Sequence, residues 1–282
     1  MINIFPYIFI ILWSSAFITT KPIIDYSDPF SALAFRFLIV GIGFFIFCIF
    51  KNYKILIKKK FFLESFFSGV LFHGFYLGGV FFSISKGMPT GIAALIVTLQ
   101  PILTNALSGP ILNEEVTYKQ WIGVTLGFLG AILVLGFDIG LSIPVAGLIA
   151  TIIALISITS STIWQKKISN NLPLPVSNMY QALGGFSLHF FIVIFFTKPY
   201  IEFSQTFLIA ISHQIFLVSF GAFTILMYLI KNNSASKTVS IFFLIPATSA
   251  FMAWLFLNES LTNLDLLGFL ITSIGVYIAT RN

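Results

Sequence analysis

Long apolar stretches, separated by short polar breaks, follow one another along the whole chain. Each is long enough for an α-helix to cross the roughly 30 Å hydrocarbon core of a bilayer, which takes about 20 residues. The apolar runs are continuous and lack the alternation of barrel strands, so helices are expected. The pattern predicts ten transmembrane helices, at Asn3–Thr20, Pro29–Phe50, Ser65–Ser85, Thr90–Leu112, Gln120–Phe137, Pro144–Gln165, Pro175–Thr197, Thr206–Ile230, Lys237–Leu257 and Thr262–Thr280.

The composition excludes an ordinary soluble protein. Of the 282 residues 58% are hydrophobic and 9% are charged, and the mean hydropathy is +1.01. The first apolar stretch follows no basic segment and has no small-residue cleavage site, so we expect a retained helix and not a removed signal peptide. An all-α integral membrane protein of the cytoplasmic (inner) membrane is the fold class that these features predict.

The distribution of basic residues predicts the orientation. With a cytoplasmic N-terminus, three lysines lie in the outer loops (Lys21, Lys86 and Lys198) and Arg36 lies within a helix. The excess of basic residues then follows the positive-inside rule and places both termini in the cytoplasm, which leaves no reason to expect nucleic-acid binding. The eleven inner basic residues are Lys51, Lys54, Lys58, Lys59, Lys60, Lys119, Lys166, Lys167, Lys231, Lys237 and Arg281.

The chain repeats itself without a gap at a shift of 145 residues. The two copies, residues 1–137 and 144–282, each hold five predicted helices. Because five is odd, the second copy enters the membrane in the opposite orientation. Such an inverted repeat presents one central site alternately to either side of a membrane. The matched pairs include Lys21 and Lys166, Pro101 and Pro246, Asn113 and Asn258, Glu114 and Glu259, Thr117 and Thr262, Gly123 and Gly268, and Gly130 and Gly275.

The paired acids Glu114 and Glu259 lie at the ends of the fourth and ninth predicted helices, on opposite sides of the membrane. In one interpretation Asn113 and Asn258 are N-caps, and each Glu favours the positive end of the helix that follows. In the other, each Glu is a gating residue that changes partners as its side of the protein closes.

Several motifs, in the same order along nearly the whole chain, resemble those of EamA-type transporters in the drug/metabolite transporter superfamily. LWSSAFITTKP (Leu12–Pro22) resembles the first-helix motif, with Ser14 where that motif usually has Gly. AFRFLIVGI (Ala34–Ile42) resembles the Arg-Phe motif of the second helix. The remaining matches are LQPILTNALSGPILNEEVT (Leu99–Thr117), QWIGVTLGFLGAILV (Gln120–Val134) and LIPATSAFMAWLFLNESLT (Leu244–Thr262).

The resemblance implies ten helices in two inverted five-helix units. It also implies a central cavity lined mainly by helices 1, 3, 4, 6, 8 and 9, and secondary transport of small metabolites, often efflux. The chain departs from the family pattern at Glu115 and Ser260, where Arg is frequent, and at Gln181, which occupies the place of Arg36 in the second half.

Polar and aromatic residues within the predicted helices are the candidates for the substrate cavity. His73 and Tyr76 share one helix face, as do Thr98 and Asn105; small polar residues also join helices to one another. Trp13 lies deep in its helix and suits stacking on a substrate, whereas Trp164 lies near a helix end, where tryptophan is often an interfacial anchor. The full set is Trp13, Ser14, Phe17, His73, Tyr76, Thr98, Asn105, Ser161, Trp164, Tyr228 and Ser240.

Arg36, Pro101 and Pro246 are candidates for a gating or structural role. A charge inside a transmembrane helix is costly and marks a functional candidate, but the Arg36 side chain also has the length to reach the outer interface. Each proline removes a backbone hydrogen bond and tends to kink its helix, near Val97 and near Phe242. Symmetric kinks suggest bending during alternating access.

The sequence predicts a secondary transporter for amino acids or related amphipathic metabolites, with export as the expected direction. All nine acids lie in loops or at helix ends, so exchange, facilitated diffusion and proton coupling through His73 all stay open. A channel or facilitator for small solutes is the main alternative. An intramembrane enzyme and a purely structural protein are the others.

We expect no enzymatic activity, no cofactor and no metal site. The chain lacks a HExxH motif and a phosphate-binding glycine loop, and its one cysteine, Cys48, lies in a predicted helix. The expected partners are a small-molecule substrate and the lipid bilayer. The sequence does not indicate an oligomeric state.

Overall fold

The computed structural model describes residues 4–88, 90–135, 143–257 and 262–281, and within these ranges the regular structure is helical. One isolated antiparallel bridge joins Ser27 to Ile201. The α-helices are α1 (Phe5–Asp25), α2 (Pro29–Phe50), α3 (Lys59–Gly69), α4 (Leu77–Ser85), α5 (Thr90–Val97), α6 (Gln100–Leu112), α7 (Tyr118–Leu135), α8 (Val145–Ile168), α9 (Leu174–Phe196), α10 (Gln205–His213), α11 (Phe223–Asn232), α12 (Ala235–Ser240), α13 (Leu244–Leu257) and α14 (Asn263–Thr280).

Short non-α segments join several of these helices end to end. A π-helical segment, Val70–Tyr76, joins α3 to α4, and a second, Gln214–Ala222, joins α10 to α11. A 3₁₀ turn, Ile241–Phe243, joins α12 to α13. In the described part of the chain, nine of the resulting helical segments are long and apolar enough to cross a membrane, and a further apolar helix, Tyr118–Val134, is shorter. The expectation of an all-helical, multi-pass membrane protein is thereby confirmed.

Helix starts follow local capping chemistry. Asp28 precedes α2 and accepts the Ser31 N–H at 2.8 Å, while Pro29 takes the first helical position. Before α7, Thr117 and Gln120 exchange side chain to backbone hydrogen bonds of 2.7 and 3.3 Å. Their counterparts at the 145-residue shift, Thr262 and Asp265, form a capping box at the start of α14.

Some helices extend beyond the apolar stretches that predict them. Helix α1 continues to Asp25, and α3 begins at Lys59 and not at Ser65. Ion pairs at the i,i+4 spacing occupy the added turns, Lys21–Asp25 at 2.6 Å and Lys60–Glu64 at 3.9 Å. Hydropathy marks the hydrocarbon depth, whereas the helix itself continues into the polar interface where these charges lie.

The expectation that Asn113 caps the following helix is wrong. Asn113 has left-handed backbone angles (φ 54°, ψ 34°) and ends α6, and its N–H binds the Gly109 carbonyl. This is the C-terminal capping conformation that Asn tolerates. Its counterpart Asn258 lies outside the described residues.

Helices α7 and α14 pack with their backbones in close contact at glycines. A Cβ on Gly123 would meet the backbone of Gly275 and Ala279, and a Cβ on Gly130 would meet that of Gly268 and Thr272. Small residues at such positions allow membrane helices to approach closely.

The bundle has two ends, which we name by residue. At the Glu114 face, α6 ends and α12 begins, and the Glu114 carboxylate binds the N–H of Ala235 at 2.9 Å. At the Asp28 face, α1 and α2 meet the segment after α9 through two backbone bonds, Asp28 N–H to the Tyr200 carbonyl and Glu202 N–H to the Tyr26 carbonyl, at 2.9 and 2.8 Å.

Candidate functional site

A cavity lies among α1, α2, the α3–α4 segment and the α10–α11 segment, in the half of the bundle nearer the Asp28 face. Its empty volume is about 520 Å³, including the open space at its mouth. Small-molecule sites are typically largely apolar cavities of this kind with a few polar groups. The lining consists of Trp13, Ala16, Phe17, Thr20, Arg36, Phe72, His73, Tyr76, Leu77, Val80, Phe81, Gln214, Val218, Ser219 and Phe223.

The two π-helical segments supply much of this wall. Val70–Tyr76 carries Phe72, His73 and Tyr76, and Gln214–Ala222 carries Gln214, Val218 and Ser219. A π segment inserts an extra residue into a helix and changes the direction of the side chains beside it, and such segments occur frequently at functional sites. The departure from α-helix therefore coincides with the cavity in both halves of the chain.

Arg36 is buried, with 3% of its surface exposed, and lies on the cavity wall. Its Nε donates to Ser219 Oγ at 2.9 Å, and Nη1 donates to Gln214 Oε1. The ion pairs among the described residues, Lys21–Asp25 and Lys60–Glu64, lie at helix ends away from it. Within the described chain, the guanidinium thus has neutral oxygen partners and no carboxylate.

Gln214 connects Arg36 to α1. While its Oε1 accepts from Arg36, its Nε2 lies 3.2 Å from each of three acceptors, the Ala16 carbonyl, Thr19 Oγ1 and Thr20 Oγ1. The buried cation is therefore held by a polar network that joins α1, α2 and the second π segment. Hydrogen-bonded networks of this kind restrict the geometry of the groups within them.

His73 lies between two aromatic rings, with centroid distances of 4.4 Å to Phe37 and 4.3 Å to Phe223. Its backbone carbonyl lies 2.9 Å from Nε2 of His189. Within the described structure the Nδ1 atom of His73 has no hydrogen-bond partner. The described residues include no group of three or more His, Cys, Asp or Glu side chains placed to hold a metal ion.

An aromatic layer separates the cavity from the Glu114 face. The rings of Phe9, Trp13 and Phe242 lie 5.3 to 6.0 Å from one another, and Phe72 lies 6.0 Å from Trp13. These side chains belong to one buried apolar cluster. Trp13 is thus both part of the cavity wall and part of its floor.

Polar contacts at the Glu114 face close the bundle beneath this layer. Glu114 accepts the N–H groups of Ala235 and Ser236, at 2.9 and 3.4 Å, and the Ser236 hydroxyl donates to Asn105 Oδ1. Lys166 Nζ donates to the carbonyls of Ile230 and Asn233, at 3.1 and 2.6 Å. The start of α12 is thereby tied to α6, and the end of α11 to α8.

Glu114 does act at a helix N-terminus, as one interpretation of the sequence expects, but the helix is α12 and not α7. The carboxylate bridges to a helix of the other half of the chain. Glu259 lies outside the described residues.

Five of the predicted functional residues line the cavity, namely Trp13, Phe17, His73, Tyr76 and Arg36. The other described candidates for the cavity lie elsewhere. Ser14 donates to the Ile245 carbonyl at 3.3 Å and Ser161 to that of Ser68 at 3.2 Å. Thr98 and Ser240 each donate to the carbonyl four residues earlier. Asn105 lies at the Glu114 face, and Trp164 and Tyr228 are 42% and 39% exposed.

Pro101 and Pro246 each follow an interruption of a helix. Helix α5 ends at Val97 and α6 begins at Gln100, one residue before Pro101. The 3₁₀ turn Ile241–Phe243 comes shortly before Pro246, in α13. The two positions correspond at the 145-residue shift.

Sequence reasoning did not select several of the cavity residues. Gln214 is an amide within an apolar run, a signal comparable to that of Arg36, whereas the serine Ser219 resembles the many small polar residues that only join helices. Phe72 and Phe223 carry no signal in a chain with 35 phenylalanines.

Comparison with known proteins adds an independent line of evidence. The model of a family described as the EamA-like transporter family matches residues 2–136 and, a second time, residues 145–281. An "Uncharacterized transporter YvbV" of Bacillus subtilis is 28% identical over 93% of this chain and 86% of its own length. A "Probable amino-acid metabolite efflux pump" of Salmonella typhimurium is 23% identical over 95% of this chain and 91% of its own length. A solved crystal structure, 17% identical, superposes with a TM-score of 0.84 over 99% of this chain and 96% of that one, which shows a shared fold.

Proposed function

Because this chain belongs to the EamA-like transporter family, we propose that it is a secondary transporter that moves small amphipathic metabolites across the cytoplasmic membrane by alternating access. The observation that carries this proposal is the cavity, which has a polar centre, aromatic walls and a closed end at the Glu114 face. A site that is accessible from one side while sealed on the other is the basic requirement of a carrier.

The proposed architecture is ten transmembrane helices in two inverted five-helix repeats, residues 1–137 and 144–282. Three observations support it. The family model matches the chain twice. The π segments Val70–Tyr76 and Gln214–Ala222 overlap at the 145-residue shift. The contact of Gly123 with Gly275 becomes, at the same shift, the contact of Gly268 with Gly130, as expected for two units related by a two-fold axis.

The proposed orientation places the Glu114 face in the cytoplasm, because that face lies next to the loops that hold most of the basic residues. The structure then corresponds to a conformation that is closed on the cytoplasmic side, with the cavity nearer the outer side. Transport requires release of this closure.

We propose Glu114 as the residue whose bonds to Ala235 and Ser236 hold the cytoplasmic side shut. At the 145-residue shift these partners correspond to Thr90 and Gly91, at the start of α5. Glu259, the counterpart of Glu114, is proposed to bind that helix start when the outer side closes. Bending at Pro101 and Pro246 is proposed to accompany the exchange.

The proposed substrates are amino acids or related metabolites, and the proposed direction is export. Relatives named as amino-acid metabolite efflux pumps, from Salmonella typhimurium and Escherichia coli, support both points. The cavity supports the same class, because it combines aromatic walls with a single described arginine. Phosphorylated compounds would require several buried basic groups.

Counterflow in proteoliposomes tests the proposal. Vesicles loaded with an unlabelled amino acid or metabolite receive the same labelled compound outside, with and without a pH gradient. We expect saturable, substrate-selective uptake that exceeds equilibrium transiently. Uptake that never saturates and shows no counterflow would instead support the alternative, a channel or facilitator, and the pH-gradient arm decides whether protons are coupled to transport.

A further inference from the structure

Arg36 is a buried cation for which the described structure provides no anion. Its hydrogen-bond partners in the described structure, Ser219 and Gln214, are neutral, and both belong to the second π segment. A guanidinium carries more N–H donors than these two bonds use. Because burial of an unpaired charge is costly, an anionic group that entered the cavity and paired with Arg36 would be stabilised there.

The residues around Arg36 indicate which kind of anion would bind to it. Among the described lining residues it is the one Lys or Arg side chain, which suits a single negative charge better than a phosphate. A carboxylate matches the planar fork of a guanidinium and accepts two parallel hydrogen bonds from it.

The other residues of the cavity wall indicate which chemical group the bound compound carries besides its carboxylate. Trp13, Phe17, Phe72 and Phe223 face the cavity together with the aliphatic Leu77, Val80 and Val218. No described carboxylate lines it, so nothing charged in this wall matches an α-ammonium group. The wall therefore fits an apolar, preferably aromatic, group attached to a carboxylate.

We propose that Arg36 binds the carboxylate of the transported compound, so that the substrate class is organic carboxylates with an apolar body, and that an α-ammonium group is not required. This inference rests on the proposed transport function. It goes beyond it by stating that deaminated acids are accepted as well as amino acids, and that the corresponding amines are rejected.

A matched series of ligands tests this proposal. The probes share one phenyl body: phenylalanine, 3-phenylpropionate, which lacks the ammonium, and phenethylamine and phenylalanine amide, which lack the carboxylate. A leucine series of the same design provides an aliphatic body. We expect the acids of at least one series, with or without the ammonium, to exchange in counterflow, and the amine and amide to fail.

Three variants assign the effect to Arg36. Arg36→Gln should raise KM for the carboxylates by at least about tenfold, because it removes charge-assisted hydrogen bonds. Arg36→Lys keeps the charge and should retain part of the affinity. Lys86→Gln removes an equal charge at the exposed end of α4, where Lys86 lies over the Phe82 ring at 5.2 Å, and should change nothing. Thermal unfolding in detergent identifies variants that fail to fold.

Stabilisation of the purified protein against thermal unfolding measures binding separately from transport. Stabilisation by the acids but not by the amines, lost in Arg36→Gln, supports the inference even if no counterflow occurs, in which case the proposed transport function fails alone. Equal exchange of acids and amines, or an Arg36→Gln protein that folds and retains its KM, overturns the inference and leaves transport intact. If no acid binds and no acid exchanges, both the inference and the proposed transport function are overturned.

Discussion

At the scale of single residues, burial separates two tryptophans that the sequence distinguishes only by their depth in a helix. Trp13 and Trp164 both lie within apolar stretches, but Trp13 is 5% exposed, on the cavity wall, and Trp164 is 42% exposed. Trp13 also packs on Phe9, Phe72 and Phe242. A substrate in the cavity therefore touches one of these indoles and not the other.

The pair Trp13→Phe and Trp164→Phe tests this difference. We expect Trp13→Phe to raise KM in counterflow roughly 3- to 10-fold, because the smaller ring loses contact area and stacking. Trp164→Phe is the matched control and should leave KM unchanged. Equal effects of the two substitutions would show that Trp13 does not contact the substrate.

Residue-level sequence reasoning selects side chains that are unusual for their surroundings. Arg36, His73 and Trp13 are rare in apolar helices, and all three line the cavity. Thr98, Ser161 and Ser240 instead bond to backbone carbonyls and do not line the cavity. In the sequence, a hydroxyl that contacts a substrate cannot be distinguished from one that contacts another helix.

At the scale of elements, glycine contacts determine how closely α7 and α14 pack. Gly123→Ala places a Cβ against the backbone of Gly275 and Ala279. The helices must then separate, and we expect a loss of about 1–3 kcal/mol of stability, seen as a lower unfolding temperature in detergent.

Gly41→Ala, in α2, is the control for this substitution. The nearest atom to its new Cβ is the Ala182 Cβ at 3.8 Å, an ordinary contact. We expect little change or a slight gain, because alanine favours helix. A Gly123→Ala protein as stable as Gly41→Ala would contradict the close packing of α7 on α14.

The helix interruptions before Pro101 and Pro246 lead to a kinetic prediction. Alanine at either position restores a backbone donor and favours a straight helix. If bending limits the conformational change, Pro101→Ala and Pro246→Ala lower the maximum rate of counterflow several-fold with little change in KM. Pro173→Ala, at the cap of α9, serves as the control. Unchanged rates in both variants would rule out the bending hypothesis.

Hydropathy predicts the existence of the helices, because the bilayer imposes length and apolar composition directly. It does not predict the π segments Val70–Tyr76 and Gln214–Ala222, whose residues are as apolar as an α-helix of the same length. Hydropathy also does not predict helix ends such as Asp25 and Lys59, because local ion pairs extend these helices into the interface.

At the scale of the whole molecule, the closure at the Glu114 face determines from which side of the membrane the cavity is accessible. Glu114→Gln removes the charge from the bonds to Ala235 and Ser236, worth about 1 kcal/mol at a helix N-terminus. We expect a roughly fivefold shift towards the conformation that is open at this face. Glu115→Gln, on the exposed neighbouring carboxylate, should cause no shift.

The family, and with it the transport class, is predicted from the order of motifs along the chain and confirmed by the match of the family model. The partners of Glu114 are not predictable in this way. They come from the other half of the chain. The sequence repeat shows which positions correspond to each other, but not which helix N-terminus the Glu114 carboxylate contacts.

Alternating access of one cavity is the central claim, and thiol labelling tests it most directly. In a Cys48→Ser background, Thr20→Cys reports on the cavity and Ser236→Cys on the Glu114 face. An impermeant thiol reagent is added from either side of the membrane, with and without substrate. We predict that Thr20→Cys is labelled from outside and Ser236→Cys from the cytoplasm. Addition of substrate, or the Glu114→Gln substitution, should raise the labelling rate at one of these positions while lowering it at the other. Simultaneous labelling of both positions, insensitive to substrate and to Glu114→Gln, would show a continuous pore and contradict the account.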